Sequence, residues 1–289
     1  MSESVPEAGL EAGAAGSGGF GEPGELVESA SGEVTVGSGS VGVGSVDVDV
    51  EPTGVGSTDA ESLVGVDPSV VLTDGLTDGL PSFVTDVERS REALGVGFPQ
   101  CVRFGELLVA HGEERGLIGP RELPRLWTRH IVNSAAVARY LPATGLVADV
   151  GSGAGLPGIV LASMRPGLGF HLIEPMERRC AWLREVVDAL GLDNVEVYQR
   201  QAQELHGSQQ YVAVTARAVA ALDKLLRWTW PLVEPGGALL AMKGQRAAEE
   251  VEAASAALRK LKAGSVEVHE VDVLGDGDLT RVVEVHRKG

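Results

Sequence analysis

The clearest pattern of apolar and polar positions starts near residue 146, where short apolar runs alternate with stretches whose apolar residues recur at three- and four-residue steps. Runs 146–151, 169–174, 195–200, 211–216 and 237–243 read as strands, and 156–165, 176–190, 222–232 and 246–262 as helices. Regular alternation of this kind predicts right-handed crossovers and a parallel sheet. The end of the chain breaks the rule. Runs 265–273 and 280–287 are strand-like, and the Leu274-Gly-Asp-Gly-Asp-Leu279 link is too short for a helical crossover, so they should pair as an antiparallel hairpin. Upstream, 83–94 and 102–115 read as amphipathic helices separated by the Gly95-Val-Gly-Phe-Pro99 break. A third, longer helix is expected over 121–140, with Leu126, Trp127, Ile131, Ala135 and Val137 at three- and four-residue steps and the polar Arg129, His130, Asn133 and Ser134 lying close together along it. All four tryptophans, Trp127, Trp182, Trp228 and Trp230, fall in amphipathic runs and are expected in the core.

Residues 1–80 lack such a pattern. They mix Gly, Ser, Val, Asp and Glu with one aromatic, Phe20, too little bulk to offset the entropy of ordering a chain, and are expected to be disordered. The Val41–Val50 alternation has strand period, but its glycines and acids oppose a strand. The expected organisation is therefore an acidic tail over 1–80, a helical part over 81–145 and an α/β domain over 146–289. Charge follows the same division. Residues 1–80 hold fifteen Asp or Glu and no Lys, Arg or His, so the formal net charge of −17 leaves only −2 for the rest. A nearly neutral body rich in arginine is compatible with a basic face for nucleic acid, against which the polyanionic tail could compete. The first basic residue is Arg89 and no run approaches the ~18 apolar residues of a membrane span, so a cytoplasmic protein with no membrane partner is expected. Cys101 and Cys180 form no Cys-x-x-Cys, which predicts reduced thiols and no metal site.

Candidate chemistry centres on residues 146–158, Leu-Val-Ala-Asp-Val-Gly-Ser-Gly-Ala-Gly-Leu-Pro-Gly, an apolar strand running into a glycine loop and then a helix. Gly151, Gly153 and Gly155 let the backbone turn sharply and approach a ligand, and the helix that follows should aim free N–H groups at it. Glu174 ends the next strand, 23 residues after Gly151, the spacing at which an acidic side chain meets a ribose diol. A nucleotide-type ligand is implied.

The chain resembles the RsmG family, also called GidB, of S-adenosylmethionine-dependent methyltransferases acting on guanine N7 of 16S ribosomal RNA, and within it the actinobacterial branch. The resemblance covers about residues 115–289. It is carried by Arg115-Gly-Leu-Ile-Gly-Pro-Arg-Glu-Leu123, Leu126-Trp-Thr-Arg-His-Ile-Val-Asn-Ser134, Asp149 to Gly158, Ala216-Arg-Ala-Val-Ala-Ala-Leu-Asp-Lys224 and Lys243-Gly244. It implies a class I, Rossmann-like fold, an α/β seven-stranded sheet with a C-terminal antiparallel hairpin and an N-terminal helical extension. It also implies S-adenosyl-L-methionine as cofactor, 16S ribosomal RNA or the small-subunit particle as partner, and a monomer. Gly151 and Leu156 match the family's loop contacts to the cofactor, Glu174 the end of the second strand, Ala202 and Gln203 the pair bracketing the adenine, and Arg217 the arginine ending the fourth strand. Two segments depart from the family pattern: Gln201-Ala-Gln-Glu204 stands where Arg-x-Glu-Glu is usual, and Val212 where Asp is usual.

The chemistry agrees with that resemblance. A sulfonium donor carries its own leaving group, so the protein mainly aligns donor and acceptor. Guanine N7 has a lone pair and no proton to lose, so no catalytic acid or base is assigned. Positive charge develops on the base, which calls for acceptors near it and cations facing the phosphates. Arg129, His130 and Lys243 are the candidates for the RNA side, and Arg178, Arg179 and Arg184 form a possible phosphate-facing strip. Two other readings stay open: an NAD-dependent oxidoreductase using the same glycine loop, and a non-catalytic RNA-binding module.

Overall fold

The structure is a computed structural model and describes residues 79–289; the expected acidic tail lies, all but its last two residues, outside the described residues. Seven strands form one mixed sheet in the order β3-β2-β1-β4-β5-β7-β6. They are β1 Leu146–Val150, β2 Gly169–Ile173, β3 Val195–Tyr198, β4 Tyr211–Arg217, β5 Val233–Lys243, β6 Ala263–Asp272 and β7 Leu279–Arg287. The first five pair in parallel; β7 runs antiparallel to both β5 and β6, so the expected hairpin is present and its second strand lies between the other two. Between β1 and β4 the chain reverses the direction in which it adds strands, and the crevice beyond their carboxyl ends is where open α/β sheets bind ligands.

Strand alternation sends side chains into two cores. Val147, Phe170, Leu172 and Leu240 join one, together with helices α1 (Val87–Leu94), α2 (Phe98–His111), α3 (Gly158–Met164) and α4 (Glu177–Leu190). Ala148, Val150, Val214 and Val283 join the other, beneath α5 (Leu222–Thr229), α6 (Ala247–Ala253) and α7 (Ser255–Lys260). Central strands covered on both faces read as continuous apolar runs, which is why β1, β2 and β4 are so plain in the sequence. The helical part upstream of residue 146 shares the first core with the sheet.

Several element bounds differ from the sequence reading. The second helix begins at Phe98, not 102, because Pro99 sits in its first turn, where a missing N–H costs nothing. The expected 246–262 helix is two short helices, and 222–232 ends in a 3₁₀ turn at Trp230–Leu232 around Pro231. The largest departure is 121–140. It is a 3₁₀ turn at Leu123–Arg125, a π-helical segment at Leu126–Val132 and a 3₁₀ segment at Ala135–Tyr140. The carbonyl of His130 accepts from Ser134 Oγ at 2.7 Å and from the Arg217 guanidinium at 3.0 Å, so side chains take an oxygen that a regular α-helix would use. Trp127 pins the segment to the core by donating from Nε1 to Thr85 O and Ser90 Oγ at 3.1 and 3.0 Å.

Candidate active site

At the end of β1 the chain turns through Gly151, Gly153 and Gly155, all with positive φ (+72°, +56° and +108°). A Cβ on Gly151 would also stand 2.8 Å from Val219. Asp149 is buried beneath the loop. Its Oδ2 accepts from Gly158 N–H at 3.2 Å and its Oδ1 from Thr215 Oγ1 at 2.8 Å, tying the two ends of the loop to each other and to β4. Burial pushes the Asp149 carboxyl up to about 6, opposed by its hydrogen bonds to Thr215, Ser152 and Gly158. The expectation that α3 aims free N–H groups at a ligand needs correction. Gly158 N–H goes to Asp149, Ile159 N–H goes to Gly155 O at 2.8 Å, and Pro157 has none. Gly158 serves packing instead, since a Cβ there would lie 2.4 Å from Leu172 and 2.7 Å from Asp149.

Beside the loop lies a cavity of about 350 Å³, walled by Gly151, Glu174, Ala202, Gln203, Val219 and Trp228 among others. Glu174 is buried at its edge, with Oε2 accepting from Gly153 N–H and Oε1 from Met176 N–H, both at 3.0 Å. It therefore holds the glycine loop as well as facing the cavity, and each oxygen keeps a lone pair for a further donor. Ala202 and Gln203 come to the same cavity from a 3₁₀ turn at Ala202–Leu205. Gly153, Gly155 and Leu156 do not line it, Gly153 reaching it only through the N–H it gives to Glu174. A Cβ on Gly155 would meet Ile159 at 2.8 Å and Phe104 at 3.1 Å, and Leu156 packs against the first core, so both shape the loop from behind.

A second, larger hollow of about 970 Å³ opens on the other side of Ala218 and Val219, which line both. It brings together Arg129, His130, Asn133 and Lys243, and it also takes Arg217, which the sequence reading had placed with the cofactor residues. Arg217 donates to His130 O at 3.0 Å and to Ser134 Oγ at 3.4 Å, and contacts His130 Nδ1. A guanidinium has no acceptor, so Nδ1 must accept, and the proton on Nε2 is donated to Glu122 Oε2 at 2.8 Å. Burial first, and then the Arg217 charge, hold the His130 imidazole below its ordinary range, which keeps this neutral tautomer. Burial pulls the guanidinium itself down to about 10, partly countered by Asp149. Lys243 is turned into the wall, donating to Ala220 O at 2.6 Å and to Glu250 Oε2 at 2.8 Å. Arg129 is exposed and makes no ion pair among the described residues. The arginine strip divides: Arg178 and Arg184 are exposed, whereas Arg179 lines the smaller cavity, 3.8 Å from Glu174.

Residues 98–276 match the model of a family described as rRNA small subunit methyltransferase G. The chain belongs to this family. A ribosomal RNA small subunit methyltransferase G of Beutenbergia cavernae is 65% identical over 207 residues, covering 72% of this chain and 98% of that protein. Its namesake in Thermobifida fusca is 48% identical over 202 residues, 70% of this chain and 85% of that one. Among solved structures, a precorrin-6y C5,15-methyltransferase of Geobacter metallireducens is similar at 13% identity and a TM-score of 0.42, over 60% of this chain and 91% of that one. The fold is that of the class I methyltransferases, with β7 between β5 and β6, and the chain is a methyltransferase of the small-subunit rRNA family.

Within this family member, sequence reasoning missed Trp228, Ala218 and Glu122. Trp228 is half-buried on the cavity wall, one step out of register with Leu222, Leu225, Leu226 and Thr229, the buried series of α5; that offset was a readable signal. Ala218 adopts φ +54° where the two hollows meet, and no residue-type pattern announces a strained alanine. Glu122 stands eight residues before His130, and the irregular helical path that joins them has no fixed period.

Proposed function

We propose that this chain transfers a methyl group from S-adenosyl-L-methionine to N7 of a guanine in 16S ribosomal RNA, in the cytoplasm where the small ribosomal subunit is available. The observation that carries the reading is the pair of hollows meeting at Ala218 and Val219, one lined by a buried carboxylate, apolar groups and Arg179, the other by guanidinium, imidazole, amide and carboxylate groups.

The cavity fits the cofactor. Glu174 offers free lone pairs to a ribose diol, Ala202, Gln203 and Trp228 give flat and apolar walls for an adenine, and Gly151 exposes backbone where a side chain would fill the space. Bound there, the cofactor supplies an electrophilic methyl on a good leaving group. Everything else falls to the chain: Asp149 and Glu174 hold the loop in one shape, and the Ala218–Val219 segment limits the approach of the acceptor. No residue need remove a proton, because the N7 lone pair is free. Arg129 is exposed for a phosphate, whereas Lys243 acts by fixing the Ala220 carbonyl and α6. Calorimetry with S-adenosylhomocysteine and with NAD tests the assignment: binding of the first alone is expected, and binding of NAD alone would support an oxidoreductase.

A further inference from the structure

Methylation at N7 leaves a positive charge spread over the guanine, so the hollow needs an acceptor that gains strength as the charge appears. Three carboxylates line it: Glu122, Glu250 and Asp278. Glu250 is committed, its Oε2 accepting from Lys243 Nζ at 2.8 Å and Leu222 N–H at 3.0 Å. Asp278 lies in the exposed β6–β7 loop, and no hydrogen bond or ion pair among the described residues fixes its carboxylate. Glu122 is different. Its Oε2 accepts from His130, its Oε1 takes no hydrogen bond among the described residues, and its side chain is 41% exposed at the hollow. The hydrogen bond from His130 holds its carboxyl below the usual carboxylate range, so it is charged at neutral pH.

Resting on the guanine-N7 reading above, we infer that Glu122 is the residue that selects guanine, its two carboxylate oxygens accepting from N1–H and the N2 amino group of the target base. The pairing suits both partners. Guanine presents two parallel donors on that edge, whereas adenine presents an acceptor at N1 that a carboxylate repels. N7 lies on a different edge and stays free for the methyl donor. Oε2 retains one lone pair beside the His130 bond, and the Arg217–His130–Glu122 chain fixes the carboxylate's position. As the methyl arrives, N1–H and the amino group become stronger donors, so these bonds tighten in the transition state and aid turnover as well as binding.

The test compares the wild-type chain and Glu122→Gln on small-subunit particles whose target nucleotide is guanosine or, by ligation of the rRNA, inosine, which lacks only the N2 amino group. With guanosine, kcat of Glu122→Gln should fall about 100-fold. Replacement by inosine should slow the wild-type chain about 10-fold and the variant less than about twofold. S-adenosylhomocysteine affinity, read by calorimetry, should not change. Retention of the full inosine penalty by the variant, whatever its rate, or a kcat within about twofold of wild type, would overturn the inference. Because Glu122 is a surface residue the variant should fold; Glu122→Asp, which withdraws the carboxylate by one methylene, is read by the same inosine ratio should it not. Absence of N7-methylguanine with the wild-type chain would overturn the function reading and this inference with it, whereas its presence beside an unaltered variant overturns the inference alone.

Discussion

The two hollows on either side of Ala218 and Val219 are built from different materials. Around the smaller one the backbone does the shaping: glycines at positive φ and two buried carboxylates whose partners are mostly main-chain N–H groups. Around the larger one side chains do it, through Arg217 on His130, His130 on Glu122 and Lys243 on Glu250, hung from the ends of β4 and β5, from α6 and from the irregular 3₁₀ and π segments around His130. A backbone cradle accepts one ligand shape and tolerates little change. A side-chain lattice can be edited one pair at a time, so the two hollows should fail differently when mutated.

The largest effect should come from Gly151→Arg, which forces a side chain into the smaller cavity at a φ of +72°. S-adenosylhomocysteine affinity by calorimetry should drop by about 1000-fold or more, as expected when a close backbone approach is filled. Next is Asp149→Ala, which leaves the buried Gly158 N–H without its acceptor and the Thr215 hydroxyl with only the Ala148 carbonyl at 3.3 Å, and should cost about 2–4 kcal/mol in denaturant unfolding. Arg217→Ala separates the regions most cleanly. Turnover should fall about 100-fold while S-adenosylhomocysteine affinity stays within about threefold. A matching loss of cofactor affinity would break the comparison and return Arg217 to the cofactor side.

Titration sharpens the same contrast. The folded Asp149 carboxyl is raised from 3.8 to about 6, so the folded state binds more protons than the unfolded chain between these values. Its contribution is fully present below pH ~4 and is lost as pH rises through ~6, a change of about 3 kcal/mol that Asp149→Asn should remove from a plot of stability against pH. The smallest effect should be that of the paired Arg178→Ala and Arg184→Ala changes. Both side chains are exposed and unpaired among the described residues, so turnover at physiological salt should change less than about twofold.

This division also decided what could be read from the sequence. Strand runs, the glycine loop, Glu174 and the closing hairpin were legible because main-chain geometry writes itself into residue type: glycine where φ is positive, apolar runs where strands are buried on both faces. The role of Arg217 was not. Its partner carbonyl at His130 lies 87 residues away in the chain, and the side chains that occupy that carbonyl also turn an apparently regular helix at 121–140 into irregular segments. Glu122 was hidden for the same reason, its register with His130 being set by a π-helical turn that no periodicity predicts.

The most direct measurement incubates small-subunit particles from a strain lacking this enzyme with the purified chain and S-adenosylmethionine labelled in the methyl group, then maps the label in the RNA. The account predicts label in 16S rRNA, recovered as N7-methylguanosine. Label on another base or another guanine atom, or none in the RNA at all, would contradict it.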